Sequence, residues 1–111
     1  MNAEELKHKL AEIFNSNLEF NREFDHYVEN IKNIEETLLP WCILLKQGKI
    51  NPIKPEKLKE GIVFIKKIGS SNRCIVIKVI NGEFKEIHLA DHKYYNFLMK
   101  KLSLKKSSNQ F

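Results

Sequence analysis

The stretch from Ile62 to Tyr95 constrains this chain more than any other, because it spells two β-hairpins in succession. Residues 62 to 68 (IVFIKKI) are β-branched and aromatic, and Gly69-Ser70-Ser71-Asn72 has the composition of a turn. Residues 73 to 80 (RCIVIKVI) form a second strand, and residues 83 to 89 (EFKEIHL) return after Asn81-Gly82. Asn-Gly between alternating apolar runs is the strongest short hairpin signal, since both central positions of a type I′ turn need φ > 0.

Register follows from the turns. A two-residue turn at 81 and 82 puts Ile75 opposite His88 and Arg73 opposite Ala90, and a four-residue turn at 69 to 72 puts Lys66 opposite Ile75. Because side chains alternate between faces, Lys66, Arg73 and His88 are expected on one face. Lys67, Lys78 and Lys85 are expected on the other, with Lys78 and Lys85 opposed and repelling unless an anion lies between them. Cations and an imidazole gathered on one sheet face read as a phosphate-handling site.

The flanking segments read as helices, which makes the fold α+β. Asn2 with Glu5 resembles a capping box, and Leu6, Leu10, Ile13 and Phe14 follow at helical spacing, predicting a helix over about 3 to 14. Phe20, Phe24, Tyr27, Ile31, Ile34 and Leu38 make the stripe of a longer second helix that Pro40 is expected to interrupt, with Trp41 to Gln47 resuming until Gly48 stops it. Residues 1–47 are thus a helical region, 48–61 a basic loop, 62–90 an antiparallel sheet of three strands, or four if Leu18 to Phe20 adds a short one, 91–104 a C-terminal helix and 105–111 a tail. Asp91 is placed to cap the last helix, in which Tyr94, Leu98 and Leu102 share a side; on that spacing Tyr94 is the core tyrosine and Tyr95 the outward one.

At 111 residues the chain is one domain's worth of sequence, with no apolar run near the roughly 18 residues of a membrane span. Cys42 and Cys74 lie in apolar stretches, as small core residues of a reduced, cytoplasmic protein do. There is no Walker or dinucleotide glycine loop, no zinc-type Cys/His spacing and no serine nucleophile elbow, so neither a metal nor a nucleotide cofactor is expected. The net charge of +5 conceals a division: residues 1 to 40 carry 9 acids against 4 bases, and residues 41 to 111 carry 5 acids against 15 bases. A half at −5 joined to one at +10 is the electrostatic footprint of a nucleic-acid partner. Lysine outnumbers arginine 17 to 2, which makes Arg73, the only arginine in the basic half, a pointed choice, because a guanidinium grips phosphate with a planar fork of donors.

Helices ahead of an antiparallel sheet, the segment Leu58-Lys59-Glu60-Gly61, a strand ending Lys67-Ile68-Gly69, Asn72-Arg73 opening the next strand and Asp91-His92-Lys93-Tyr94-Tyr95 after the last resemble the RelE/ParE superfamily of bacterial and archaeal toxins. The resemblance covers residues 44 to 98. Many members have an aromatic before the arginine where this chain has Asn72, and most open with a strand, which Leu18 to Phe20 is placed to supply.

The RelE branch implies a metal-independent endoribonuclease that cleaves mRNA, free or on the ribosome, and is silenced by a cognate acidic antitoxin. Such cleavage uses the 2′-hydroxyl as nucleophile, so the protein must accept its proton, stabilise charge on the phosphoryl oxygens and assist the leaving 5′-oxygen. Under that resemblance Arg73 stabilises phosphate, Lys66 shares that role or acts as base, His88 and His92 are alternative acids or bases, and Tyr95 stacks on a base or donates its phenol proton. Lys49, Lys54, Lys57 and Lys59 of the basic loop, with Lys93 and Lys100 of the last helix, are the candidates to hold the RNA backbone. His88 is equally readable as a packing residue. Two other functions fit: a ParE-like toxin that binds DNA gyrase without nuclease activity, and a catalytically inactive nucleic-acid-binding domain of the same fold.

Overall fold

The computed structural model describes residues 1–53, 61–69, 71–79 and 83–101. In chain order the elements are α1 (Ala3–Phe14), β1 (Glu19–Phe20), α2 (Phe24–Asn30), α3 (Ile34–Lys46), β2 (Gly61–Ile68), β3 (Asn72–Val79), β4 (Phe84–Ala90) and α4 (His92–Lys101). This is the expected α+β class. The basic loop's residues 54–60, the Asn81-Gly82 turn and everything beyond 101 lie outside the described residues, and with them Lys54, Lys57 and Lys59.

Local chemistry explains the helix ends. Asn2 Oδ1 accepts from Glu5 N at 2.8 Å, and Ala3, Leu6, Leu10 and Phe14 form the buried stripe of α1. The long second helix expected up to Pro40 instead splits at 31–33, where Ile31 is extended and Asn33 takes a left-handed conformation at φ 54°. Pro40 lies inside α3. The helix continues past it because Ile34, Leu38, Trp41, Cys42 and Leu45 all bury on one side, and that burial outweighs the single backbone bond a proline removes. Gly48, at φ 74°, ends α3 as expected: its N–H bonds Leu45 O, and Lys49 N bonds Leu44 O, both at 3.0 Å.

The sheet runs β1-β4-β3-β2. It is mixed rather than purely antiparallel, since the two-residue β1 pairs parallel to β4, Glu19 with Glu86 and Phe20 with Ile87. Beyond β1 the Asn21 amide takes over as a substitute strand: Leu89 N donates to its Oδ1 at 2.9 Å, and its Nδ2 donates to Leu89 O at 2.8 Å. At the opposite edge Ile53 forms a single antiparallel bridge to Val63.

Two register differences rearrange the faces. Ile68 pairs with Asn72, leaving three positions for the turn instead of four, so Lys67 stands opposite Arg73 and Lys66 opposite Cys74. One residue of slip exchanges the faces of the whole of β2. Lys66 therefore does not share a face with Arg73 and His88; Lys67 does. Between β3 and β4 the pairs Arg73–Ala90 and Ile75–His88 stand as expected, but a bulge after Ile77 puts Lys78 opposite Phe84. The expected Lys78–Lys85 opposition is thus absent, and Phe84 turns into the core against Phe14, ring centroids 4.3 Å apart.

Both faces are covered. Phe64, Ile68, Cys74, Val76, Phe84, Ile87 and Leu89 pack with residues of α1, α2 and α3 in the main core. On the other face Val63, Ile75 and Ala90 pack with Tyr95 of α4, with Ile53, Ile65 and Tyr94 at the margin. Among the described residues no helix is long and apolar enough to cross a membrane.

Candidate functional site

The chemistry-bearing residues meet on the α4 side of the sheet. Asp91 sets the position of α4: its Oδ1 accepts from Tyr94 N at 2.8 Å, which is the N-cap the sequence predicts, and its carboxyl is held below the ordinary value first by that bond. The Tyr27 phenol of α2 also helps to lower the Asp91 carboxyl, and burial and then the Asp91 charge raise Tyr27 in turn, so α2 is coupled electrostatically to the start of α4. With α4 so fixed, its first turn hangs Tyr94 and Tyr95 over the end of β4.

Glu86, His88 and Tyr94 form a continuous chain. His88 Nε2 lies 3.1 Å from Glu86 Oε1, and His88 Nδ1 lies 3.0 Å from the Tyr94 hydroxyl. Glu86 and His88 are two apart on one strand and so project from the same face. A carboxylate only accepts, so Nε2 carries hydrogen; with that the ring's single proton, Nδ1 is the nitrogen left to accept from the phenol. Burial, and secondarily Glu86, push the Tyr94 phenol above its ordinary value, so it enters the chain as an O–H donor. The His88 and Tyr94 rings also stack, centroids 6.0 Å apart at 24°.

Arg73 lies on the same face but deeper, 4 % exposed. Its Nη1 donates to Asn72 O at 2.9 Å, and its guanidinium sits over the Tyr95 ring, Cζ to centroid 5.9 Å. Ala90 opposite it contributes almost no bulk, which leaves room for guanidinium and ring together. Tyr95 is buried in this second core, and burial raises its phenol while the Arg73 charge opposes that rise.

The two tyrosines thus exchange the places expected of them: Tyr95 is the core ring and Tyr94 the one that reaches the imidazole. His88 and Arg73 share their face as expected. His92 and Lys93 are exposed on the first turn of α4, Lys100 is exposed at its far end, Lys49 is exposed just after α3, and Lys66 belongs to the α1–α3 side. Sequence reasoning missed Glu86 and Tyr94 as members of one unit. The i, i+2 spacing of Glu86 and His88 was the available signal, whereas the part of Tyr94 depends on how α4 folds back.

A surface depression lined by His8, Glu12, Asn15, Ser16, Asn17 and Glu83 lies at the end of α1 and gathers none of these groups. Among the described residues, no three His, Cys, Asp or Glu side chains come together to hold a metal. Compared with protein-family models, with curated proteins and with solved structures, the chain gives no match.

Proposed function

We propose that this chain is a RelE-type toxin, a metal-independent endoribonuclease that cleaves mRNA in the cytoplasm. The observation that carries the reading is the Glu86–His88–Tyr94 chain on the α4 side of the sheet. It supplies what 2′-hydroxyl cleavage needs. The 2′-hydroxyl gives its proton to the Tyr94 oxygen while the Tyr94 proton moves to His88 Nδ1, and Glu86 holds the imidazolium. The freed 2′-oxygen attacks the adjacent phosphorus, the bond to the 5′-oxygen breaks, and that oxygen takes a proton from His92 or from water. The products are a 2′,3′-cyclic phosphate and a 5′-hydroxyl.

Charge on the phosphoryl oxygens is met by exposed Lys67, opposite Arg73 on β2, and by Lys93, with the buried Arg73 adding to the positive potential from below. The short β1 precedes α2 and α3 as the RelE/ParE resemblance expects of its first strand, while α1 ahead of it departs from a pattern that opens with a strand. The basic half of the chain suits an acidic antitoxin segment as the silencing partner.

One observation favours a second reading, a binding-only domain of the same fold: His88 and Arg73 are 9 % and 4 % exposed. Induced expression of the wild type beside Tyr94→Phe separates the two, with growth followed and mRNA 5′ ends mapped in the same cultures. The nuclease reading expects arrest with new mRNA ends in the wild type, and cleavage lowered about 100-fold in Tyr94→Phe, which keeps the ring and removes the proton. Arrest with intact mRNA would move the assignment to a gyrase-directed toxin, and no arrest to a non-toxic binding domain.

A further inference from the structure

Phe97 is the most exposed of the large apolar side chains described, at 59 %. A single exposed phenylalanine is ordinary; its surroundings are not. Lys93 lies four residues before it and Lys100 three after, so all three fall on one stripe of α4, and both lysines are exposed. The ring is backed by Tyr94, centroids 6.1 Å apart at 29°, and Tyr94 is backed in turn by His88. Imidazole, phenol and phenyl thus form an offset row that starts on the sheet and ends in an aromatic ring at the surface between two cations.

We propose that Phe97 is a base-stacking platform for single-stranded RNA, the nucleobase lying on the Phe97 ring and the neighbouring phosphates meeting Lys93 and Lys100; this rests on the RNA-cleaving reading above. The charge of the stripe selects a polyanion, and a ring stacked on the Tyr94 ring behind it suits a flat π partner better than aliphatic side chains. Lys93 and Lys100 are about 10 Å apart along the helix axis, so their ammonium groups straddle one nucleotide. Duplex RNA hides the base faces, which leaves the ring nothing to stack on. The platform ends the same row that contains the His88–Tyr94 pair, so a strand held there passes the acid–base chain.

The test is fluorescence anisotropy of a labelled single-stranded RNA octamer titrated with the full chain and with Phe97→Leu, Phe97→Trp and Lys93→Ala, folding being checked by circular dichroism. Phe97→Leu, which keeps apolar bulk and loses the π face, is expected to weaken binding about tenfold, with Phe97→Trp at least as tight as the wild type. Lys93→Ala is expected to reduce the salt dependence of binding. A matching duplex is expected to bind the wild type and Phe97→Leu equally. Equal octamer affinity for wild type and Phe97→Leu overturns the proposal and leaves Phe97 as an apolar contact for a protein; so does the absence of octamer binding. Octamer bound with this ring dependence while induced expression leaves mRNA 5′ ends intact would remove the nuclease reading and keep the platform, while new mRNA ends with octamer binding free of ring dependence would do the reverse.

Discussion

Asp91 shows how much one residue positions. Its carboxylate caps α4 and is held low by that bond and in part by Tyr27, and the two tyrosines that matter come three and four residues later. Replacing it by alanine is expected to lower stability by about 1 kcal/mol, read as a fall in the urea midpoint, while Asp91→Asn retains most of the cap. Because the folded carboxyl titrates below its ordinary 3.8, its contribution is complete above that value and is lost as pH falls through the lower folded value. Melting curves in that acid range are expected to show this loss in the wild type and not in Asp91→Asn. The cap itself was legible, since an Asp before a helical stripe has a mechanism. The roles of Tyr94 and Tyr95 were not: adjacent helical residues point about 100° apart, and which of them meets the sheet depends on how α4 crosses it, a tertiary fact that spacing does not encode.

At the level of elements, the hairpins were legible because turn composition and β-branched runs agreed, whereas the burial of β3 on both faces was not read from the sequence although its composition carried it. Cys74, Ile75 and Val76 are all fully buried, the continuous apolar run of a strand covered on two sides. Register was less legible than the hairpins, since a turn of three residues and a turn of four share a composition, yet one residue moved Lys66 off the site and Lys67 onto it. Nor does sequence announce a bulge, and that bulge carries Phe84 into the main core. The break at 31–33 went unread because Pro40 offered a stronger signal, one that tertiary burial overrides. The Asn21 clamp is the element-scale feature most open to test. Asn21→Ala leaves both polar groups of Leu89 without the amide and is expected to cost about 2 kcal/mol, seen as a lower urea midpoint at unchanged slope.

For the molecule as a whole, burial sets the response to alkali. It pushes the Cys42 thiol up to about 12, and it raises Cys74, which the neighbouring Cys42 raises further. Burial likewise raises Tyr27, Tyr94 and Tyr95. These groups stay neutral in the fold and ionise more readily once it opens, so their contribution is complete below the ordinary values of 9.0 and 10.0 and falls as pH rises beyond them. Thermal melts are expected to be flat from neutral pH up to about 8.5 and to drop above it. The division of charge between the halves was readable directly, as was the class of fold. The Glu86–His88–Tyr94 chain was legible only in its parts, because it joins a strand to a helix through a fold-back.

The short strand β1 and the Asn21 clamp have a consequence in time. Both bond β4, and Asn21 and Leu89 are 68 positions apart. As a chain emerges residue by residue from its own ribosome, the N-terminal third waits for most of the remainder before it has a sheet to join. Glu86, His88 and Tyr94 appear in that same late stretch, so their hydrogen-bonded chain cannot assemble in an unfinished polypeptide, and the delay between starting and completing synthesis is built into the order of the strands.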